Sequence, residues 1–442
     1  MGKAQGSSGS FSSGERGDVA ALCADYLHQE SPPFLFYNMP TAALFAGRLE
    51  EAYKDLWKRE LELGEMLSRH REDISAENAD KVRDKIRRLR QNLRYEQCDS
   101  STRVYNNEEV QPSTKTNIRD RSIDVVCQFE NPSRADADVS CHNNIIELYF
   151  TLRMMMESSV GDITVVAPWL PYMRGDKKLE GRVPIAARDV LDLVEHAALG
   201  HLKKIITFDL HAAQEQGFLR GKIEHLSAMP LFARYVLSER FMDRYHCTLD
   251  DLTVVAVDTG GVARAHAYAD PLGLPVVVYD KGRPEPGVVE LRGRVGQVKT
   301  KVAVIVEDMV DTGGSVAKVG ANLLENGVEY VVVLATHGLF SPTRDKNKPT
   351  IILNYAEDIL EQSGVHVVTT DSIPRDPGFY QHQSSWLVDT ISLSQPLADA
   401  ILQKRLGYSL SQSIGRQEAL VQEHARKRKP MDIEPYLLPV QS

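Results

Sequence analysis

Long apolar runs are missing from this 442-residue chain. The strongest, such as Tyr330 to Ala335, fall far short of the roughly 20 residues needed to cross a bilayer, which excludes a helical membrane protein. The N-terminal stretch is polar and Gly/Ser-rich, without the apolar segment of a secretory signal, so a cytoplasmic location is expected. Cysteine is scarce. The five present (Cys23, Cys98, Cys127, Cys141, Cys247) are scattered, odd in number and form no Cys-x-x-Cys pair. That excludes a disulfide framework or a structural zinc site and fits thiols in a reducing compartment. Positive charge is also in deficit. Lys and Arg total 52 against 61 Asp and Glu, a formal net charge of −9, which argues against a general nucleic-acid binder.

What remains is ordinary for a soluble globular protein: 42% hydrophobic and 26% charged residues. At about 150 residues per domain the length allows two or three domains. Residues 1–33, with low-complexity Ser7–Gly14 and Pro32-Pro33, read as a disordered extension. From Leu35 to Leu67 the pattern is helical, with Leu49, Tyr53, Leu56, Leu63 and Leu67 spaced for one face. A second helix is expected from Ser75, carrying Val82, Ile86, Leu89 and Leu93 at a coiled-coil spacing. The first is acidic (Glu50, Glu51, Asp55, Glu60, Glu62, Glu65). The second is basic (Lys81, Arg83, Lys85, Arg87, Arg88, Arg90, Arg94). An antiparallel hairpin with opposite charges facing across it follows. Its basic face is either plain solvated structure or a seat for an anionic partner.

From Ile123 the texture changes. Short β-branched runs appear at Ile123–Gln128, Ile163–Leu170, Lys204–Leu210, Leu252–Asp258, Pro275–Tyr279, Val302–Val306, Tyr330–Thr336 and Val365–Thr370. Helix-period segments lie between them, at Asn143–Glu157, Ile185–Leu199, Leu231–Arg244, Val316–Glu325 and Pro396–Gln403. Strands without polar alternation, separated by helices, imply an α/β fold with parallel sheets covered on both faces. Eight such runs fit two tandem domains better than one barrel. In open sheets of this kind chemistry sits beyond the carboxyl ends of the strands. Past Gly415 a charged tail is expected; its Lys427-Arg428-Lys429 reads as a solvated cluster or a targeting signal.

The strongest signal ends one of these strands: Glu307-Asp308-Met309-Val310-Asp311-Thr312-Gly313-Gly314-Ser315. Glycines let a backbone approach an anion, and free amides opening a helix, with the Thr312 and Ser315 hydroxyls, suit a phosphate monoester. Glu307 and Asp308 repel phosphate and suit sugar hydroxyls, or a metal carrying the sugar. The plainer alternative is a turn in which Asp311 and Ser315 cap the helix. No Ser/His/Asp triad accompanies the motif.

The string resembles the ribose-5-phosphate loop of type I phosphoribosyltransferases and of ribose-phosphate diphosphokinases (PRPP synthetases). The surrounding chain favours the second. Val166–Lys178 and Arg182–Ile185 resemble the PRPP synthetase segment around its ATP-contacting arginine. Asp209-Leu210-His211-Ala212-Ala213-Gln214 with Gln216-Gly217-Phe218 is similar to the metal-binding histidine signature. Asp258-Thr259-Gly260-Gly261 looks like the Asp-x-Gly-Gly loop, and Tyr105–Glu109 like the adenine-contacting segment; Thr336–Ser341 fits too. The resemblance runs collinearly over residues 100–415. It implies two tandem phosphoribosyltransferase-like domains with parallel-rich sheets flanked by helices, plus the helical-hairpin insertion. The expected boundaries are 34–227 (insertion at about 50–98), 228–415 and a charged tail, 416–442.

The resemblance also assigns roles. Tyr105, Asn107, Glu109, Arg174 and Asp176 would bind ATP. Glu307, Asp308, Asp311, Thr312, Gly313, Gly314 and Ser315 would bind ribose 5-phosphate. His211 and Asp258 would hold Mg2+. Lys281 and Arg283, in a Gly/Pro-rich loop that on composition alone is an exposed turn, match the family's catalytic Lys-x-Arg. The implied reaction moves the β,γ-diphosphoryl group of ATP to the C1 hydroxyl of ribose 5-phosphate, giving PRPP and AMP. A homo-oligomer built from dimers is implied, with hexamers and filaments both open, and neither nucleic acid nor membrane as a partner. Three departures stand out. Gly175 replaces the family's Gln beside the ATP arginine, Glu307 replaces the more usual Asp, and Ala213 replaces a Ser of the regulatory region, which leaves phosphate activation open. The alternatives are a non-catalytic PRPP-synthetase-associated subunit and a PRPP-consuming phosphoribosyltransferase. The first should lack the four loops retained here, and the second needs no ATP segments.

Overall fold

The computed structural model describes residues 34–69, 76–92, 95–130, 140–178, 180–285, 288–295, 298, 300–345, 347–348, 351–375, 379 and 385–438. The expectation of a disordered extension at 1–33 lies outside the described residues.

Two parallel-rich sheets form, as the unalternated apolar strands require. The first has the order β2-β1-β5-β6-β7-β8. Its strands are β1 (Phe34–Asn38), β2 (Tyr95–Gln97), β5 (Ser122–Val126), β6 (Asp162–Val166), β7 (Leu202–Phe208) and β8 (Lys222–Leu226), every neighbouring pair parallel. Between β2 and β5 a separate antiparallel hairpin is inserted, β3 (Ser100–Val104) and β4 (Val110–Thr114). The second sheet has the order β11-β10-β9-β12-β13-β16-β17. It comprises β9 (Leu252–Ala256), β10 (Val276–Glu285), β11 (Val288–Val295), β12 (Val302–Val310), β13 (Tyr330–Gly338), β16 (His366–Thr370) and β17 (Leu387–Ile391). Only the β10–β11 pair in it is antiparallel. A two-stranded ribbon, β14 (Thr343–Arg344) and β15 (Ile352–Asn354), follows β13.

Eleven helices are described: α1 (Ala43–Arg69), α2 (Ala76–Asn92), α3 (Cys141–Glu157), α4 (Ala186–Ala197), α5 (Met229–Val236), α6 (Glu239–Tyr245), α7 (Val262–Leu272), α8 (Gly314–Glu325), α9 (Ala356–Ser363), α10 (Ser394–Leu406) and α11 (Leu410–Lys427). The charged helical hairpin is α1–α2. Lys85 pairs with Glu60 and Arg90 with Glu65 at 2.6 Å across it, while Trp57 Nε1 donates to the Leu89 carbonyl at 3.0 Å.

Several expectations need correction. The stretch from Leu35 is not helix throughout: Phe34–Asn38 is a strand wholly inside the first sheet, and helix begins only after Pro40. The apolar face of α1 is buried at Leu49 and Tyr53, but Leu63 is 47% exposed, because the helix outruns the body it packs on. The insertion therefore does not begin cleanly at 50. Tyr53 belongs to the core, edge-on to Phe36 and Tyr95 at 5.9 and 5.6 Å. The single helix expected at Leu231–Arg244 is two, interrupted where Ser238 caps α6 by accepting from the Phe241 amide. The charged segment past Gly415 continues in helix to Lys427 as part of α11, whose Val421 and Ala425 are buried. Lys427 there pairs with Glu423 and Arg428 with Asp250, which leaves a solvated cluster.

The two sheets are cross-packed. The C-terminal helix α10 lies against α1, and Lys404 and Arg405 on it each reach Asp124 of β5 at 2.9 Å. Arg48 of α1 reaches Asp371, just past β16, at 3.1 Å. Among the described residues no helix is long and apolar enough to cross a membrane.

Candidate active site

The carboxyl ends of β7, β9 and β12 bring their following loops to one place, where charged residues of the two sheets meet. From the first sheet come His211, three residues past β7, and Arg174, in the short turn Met173–Gly175 after β6. From the second comes the acidic end of β12. His211 Nδ1 lies 2.8 Å from Asp308 Oδ2, and Arg174 Nη1 lies 2.5 Å from Asp311 Oδ2. Arg174 thus pairs with the phosphate-loop acid rather than with neighbouring Asp176. Asp176 is buried and accepts from Gln214 Nε2 at 2.5 Å.

A residue not foreseen completes the arrangement. Arg264, on the first turn of α7, places Nη1 2.8 Å from Glu307 Oε2 and Nη2 3.1 Å from Asp308 Oδ1. Its guanidinium fork neutralises two adjacent strand-end acids at once. Only its spacing, three residues beyond Gly261 at the start of a helix, could have signalled it. Burial alone would raise the Asp308 carboxyl; the His211 hydrogen bond and the Arg264 charge outweigh it and hold that carboxyl below its usual value. The same bond to Asp308 pushes the His211 imidazole up.

The loop from Asp311 to Ser315 is shaped for an anion. Gly313 adopts φ +72°, and a Cβ there would meet Leu360 at 2.9 Å, so only glycine fits both backbone and space. Helix α8 opens at Gly314 with no side chain capping it, which leaves the first-turn amides for a ligand. The expected caps, Asp311 and Ser315, do not perform that role; Asp311 is taken by Arg174. Asp258, at the end of β9, accepts from the Gly261 amide at 3.1 Å and closes its own Thr-Gly-Gly turn. Its carboxylate is not the one that holds His211.

The adenine-type segment stands apart. Tyr105, Asn107 and Glu109 sit at the exposed tip of the β3–β4 hairpin, with Tyr105 Oη donating to Gln111 Oε1 at 2.6 Å and the Arg103 guanidinium 4.7 Å from the Tyr105 ring centre. They line a cavity of about 810 Å³ against α3. Arg174 lines a different one of about 330 Å³, with Tyr172, Met309, Leu339 and Ser341. His142 borders both, its Nδ1 2.5 Å from Tyr172 Oη. Lys281 lies on β10 opposite Leu291 of β11, and Arg283 follows Gly282, which is opposite Glu290, so their segment is a β-ribbon with irregular register and not a free turn.

No group of three or more His, Cys, Asp and Glu is gathered as a metal cage among the described residues. The donor set nevertheless fits a hard cation: carboxylates of Asp258 and Asp308 end neighbouring strands, beside one half-exposed imidazole.

Comparison with known proteins agrees with this architecture. Residues 74–198 match the family model of the N-terminal domain of ribose phosphate pyrophosphokinase, and residues 233–366 match that of the phosphoribosyl transferase domain. Ribose-phosphate pyrophosphokinase of Caldanaerobacter subterraneus is 32% identical over 314 residues, 71% of this chain and 89% of that protein. That of Clostridium perfringens is 33% identical over 261 residues, 59% of this chain and 74% of the relative. The crystal structure of phosphoribosylpyrophosphate synthetase from Mycobacterium smegmatis superposes with a TM-score of 0.62 at 24% identity, covering 84% of this chain and 98% of that one, and shows the shared fold. With β12 ending in a phosphate-type loop and the two sheets meeting over it, this chain belongs to the ribose-phosphate pyrophosphokinase family.

Proposed function

We propose that the cleft between the two sheets performs the family's reaction through the residues placed there. ATP and ribose 5-phosphate are the substrates, Mg2+ is the cation, and PRPP and AMP are the products. The observation that carries this is the meeting of Arg174 and His211 with Asp311 and Asp308, which brings an ATP-type segment onto a ribose-phosphate loop.

The 5-phosphate binds the free amides of Gly314 and Ser315 and the Thr312 and Ser315 hydroxyls, with Gly313 giving the close approach. Glu307 and Asp308 accept from the ribose hydroxyls and, with Asp311, fix the C1 hydroxyl for in-line attack on the β-phosphorus. Arg174 exchanges Asp311 for the polyphosphate, a stronger bidentate partner. Asp176 steadies the Arg174 turn through Gln214. Tyr105 offers a ring face to adenine while Asn107 and Glu109 read the base and ribose. Lys281 and Arg283, on the β10–β11 ribbon, offset charge developing on the transferring group. His211 and Asp258 would hold the divalent cation, which would supply charge neutralisation to the phosphates. No covalent intermediate is required, since positioning and charge neutralisation supply most of the rate. The hairpin tip bearing Tyr105 and the separate Arg174 cavity fit a nucleotide site completed by a second copy, hence a homo-oligomer built from dimers. The four described cysteines are free, which suits the cytoplasm.

The test is direct. Pure protein with ATP, Mg2+ and ribose 5-phosphate should release AMP and PRPP in equal amounts. Lys281→Ala and His211→Ala should each lower kcat at least 100-fold with melting temperature unchanged. Normal rates in both variants would remove the assignment of roles.

A further inference from the structure

One carboxylate in the cleft has no part in the roles above. Glu215 is fully buried, within the turn Ala213–Gly217 that follows His211. Its Oε1 accepts from the Ala212 amide at 3.0 Å, while Oε2 is buried with no hydrogen-bond partner. The side chain lies in the field of His211, Asp176 and Asp308. Placing a carboxylate there is costly, and an apolar residue would fill the space more cheaply. The next residue back, Gln214, donates to Asp176, two residues from Arg174. The turn is therefore pinned at one end to the Arg174 segment and at the other to the residue beside His211.

We propose that Glu215 is a positioning residue for His211: by holding the Ala212 amide it fixes the direction in which the imidazole leaves the chain, toward Asp308 and the cation. The inference rests on the reading of His211 as a cation ligand. It also assigns the turn a coupling role, since the Gln214–Asp176 bond sets His211 relative to Arg174. A Glu at this point offers an acceptor that is rigid because it is buried, which a solvent-exposed cap would not supply.

The test uses the full chain and two substitutions. Glu215→Met keeps volume and apolar contact but removes the acceptor; Glu215→Gln keeps an acceptor for the Ala212 amide. Mn2+ binding is followed by electron paramagnetic resonance in the presence of ribose 5-phosphate without ATP, so no turnover occurs. Glu215→Met should weaken Mn2+ binding at least tenfold and raise the cation concentration for half-maximal rate by a similar factor. Glu215→Gln should stay within threefold of the parent in both. Equal impairment in Met and Gln variants, or parental Mn2+ affinity in a folded Met variant, overturns the positioning role. If the Met variant does not fold, Glu215→Ala, which also removes the acceptor for the Ala212 amide, takes its place under the same criteria. His211→Ala is the control for the underlying reading. If it binds Mn2+ like the parent, the cation-ligand assignment falls. If it loses Mn2+ and Glu215→Met does not, only the present inference falls.

Discussion

At the scale of single residues, the site is an exercise in neutralising acids. Glu307, Asp308 and Asp311 crowd the end of β12, and three basic side chains from other segments, Arg264, His211 and Arg174, each lie against them. Arg264 is the one with two acids to hold, and its side chain is 23% exposed. Arg264→Ala should therefore remove the guanidinium that Glu307 and Asp308 share and lower stability by about 2 kcal/mol, read from the urea midpoint. A midpoint equal to the parent's would show that the acids relax into solvent. Glu215 makes a pH prediction. Burial pushes its carboxyl up from 4.5 to about 7, so the fold favours the neutral form. That contribution is fully present below pH 4.5 and is lost as pH rises through about 7. Glu215→Gln, neutral throughout, should gain melting temperature relative to the parent between pH 4.5 and 8. A difference that stays constant with pH would contradict it. These residues also mark the limit of sequence reading. The phosphate loop is legible because glycine and hydroxyl chemistry is local to one string. Arg264 is not, because its partner Glu307 lies 43 residues away, and Glu215 is not, because only its burial distinguishes it from an ordinary turn charge.

At the scale of elements, the parallel strands flanked by helices were readable from their unbroken Val/Ile runs, because burial on both faces removes polar alternation. Strand β12 is the clearest: all five residues Val302–Val306 are buried, and the strand runs on to Val310 despite Glu307 and Asp308. Those acids hid its end. Strand β17 escaped notice for a related reason. Leu387–Ile391 carries Asp389 and Thr390, which look polar, yet Asp389 is buried because Arg240 and Tyr235 bond to it at 2.6 Å each. The same logic governs α10. Its mixed sequence concealed the fact that Lys404 and Arg405 reach across to Asp124, a strand carboxylate with no exposure. Although burial would raise that carboxyl, the Arg405 and Lys404 charges outweigh it and keep it below its usual value. Removing the acid strands two nearly buried cations, so Asp124→Ala should cost about 3–5 kcal/mol. Arg83→Ala on the exposed face of α2, which breaks the Arg83–Asp80 pair between two largely exposed side chains, should leave the denaturation midpoint unmoved. Equal effects from the two variants would mean that the Asp124 network is no more than a surface contact.

At the scale of the whole molecule, the linear order of the sequence and the order of the sheets disagree, and the disagreement has consequences. The family-model match to the first domain begins at residue 74. Strand β1, forty residues earlier, nevertheless sits between β2 and β5 and pairs with both. Its Leu35 and Phe36 are completely buried and belong to different faces of the sheet. Without β1, β2 loses its one partner among the described residues of the sheet and β5 becomes an open, apolar edge. The helix that follows β1 covers the sheet only with help from the far end of the chain, since α10 packs along α1 and Lys404 joins Asp124 and Thr164. The two halves are thus interlocked through residues more than 200 positions apart, and should unfold together rather than one after the other. Fragments make this measurable. A chain spanning 74–227 should fail to fold, with no cooperative thermal transition by circular dichroism. Residues 34–227, which restore β1 and α1, should regain secondary structure but melt at least 10 °C below the full chain and self-associate through the face that α10 leaves uncovered. Adding residues 394–438 in trans should raise that melting temperature. If 74–227 melts cooperatively on its own, β1 is an accessory strand and the interlocking of the two halves is not what holds the first sheet together.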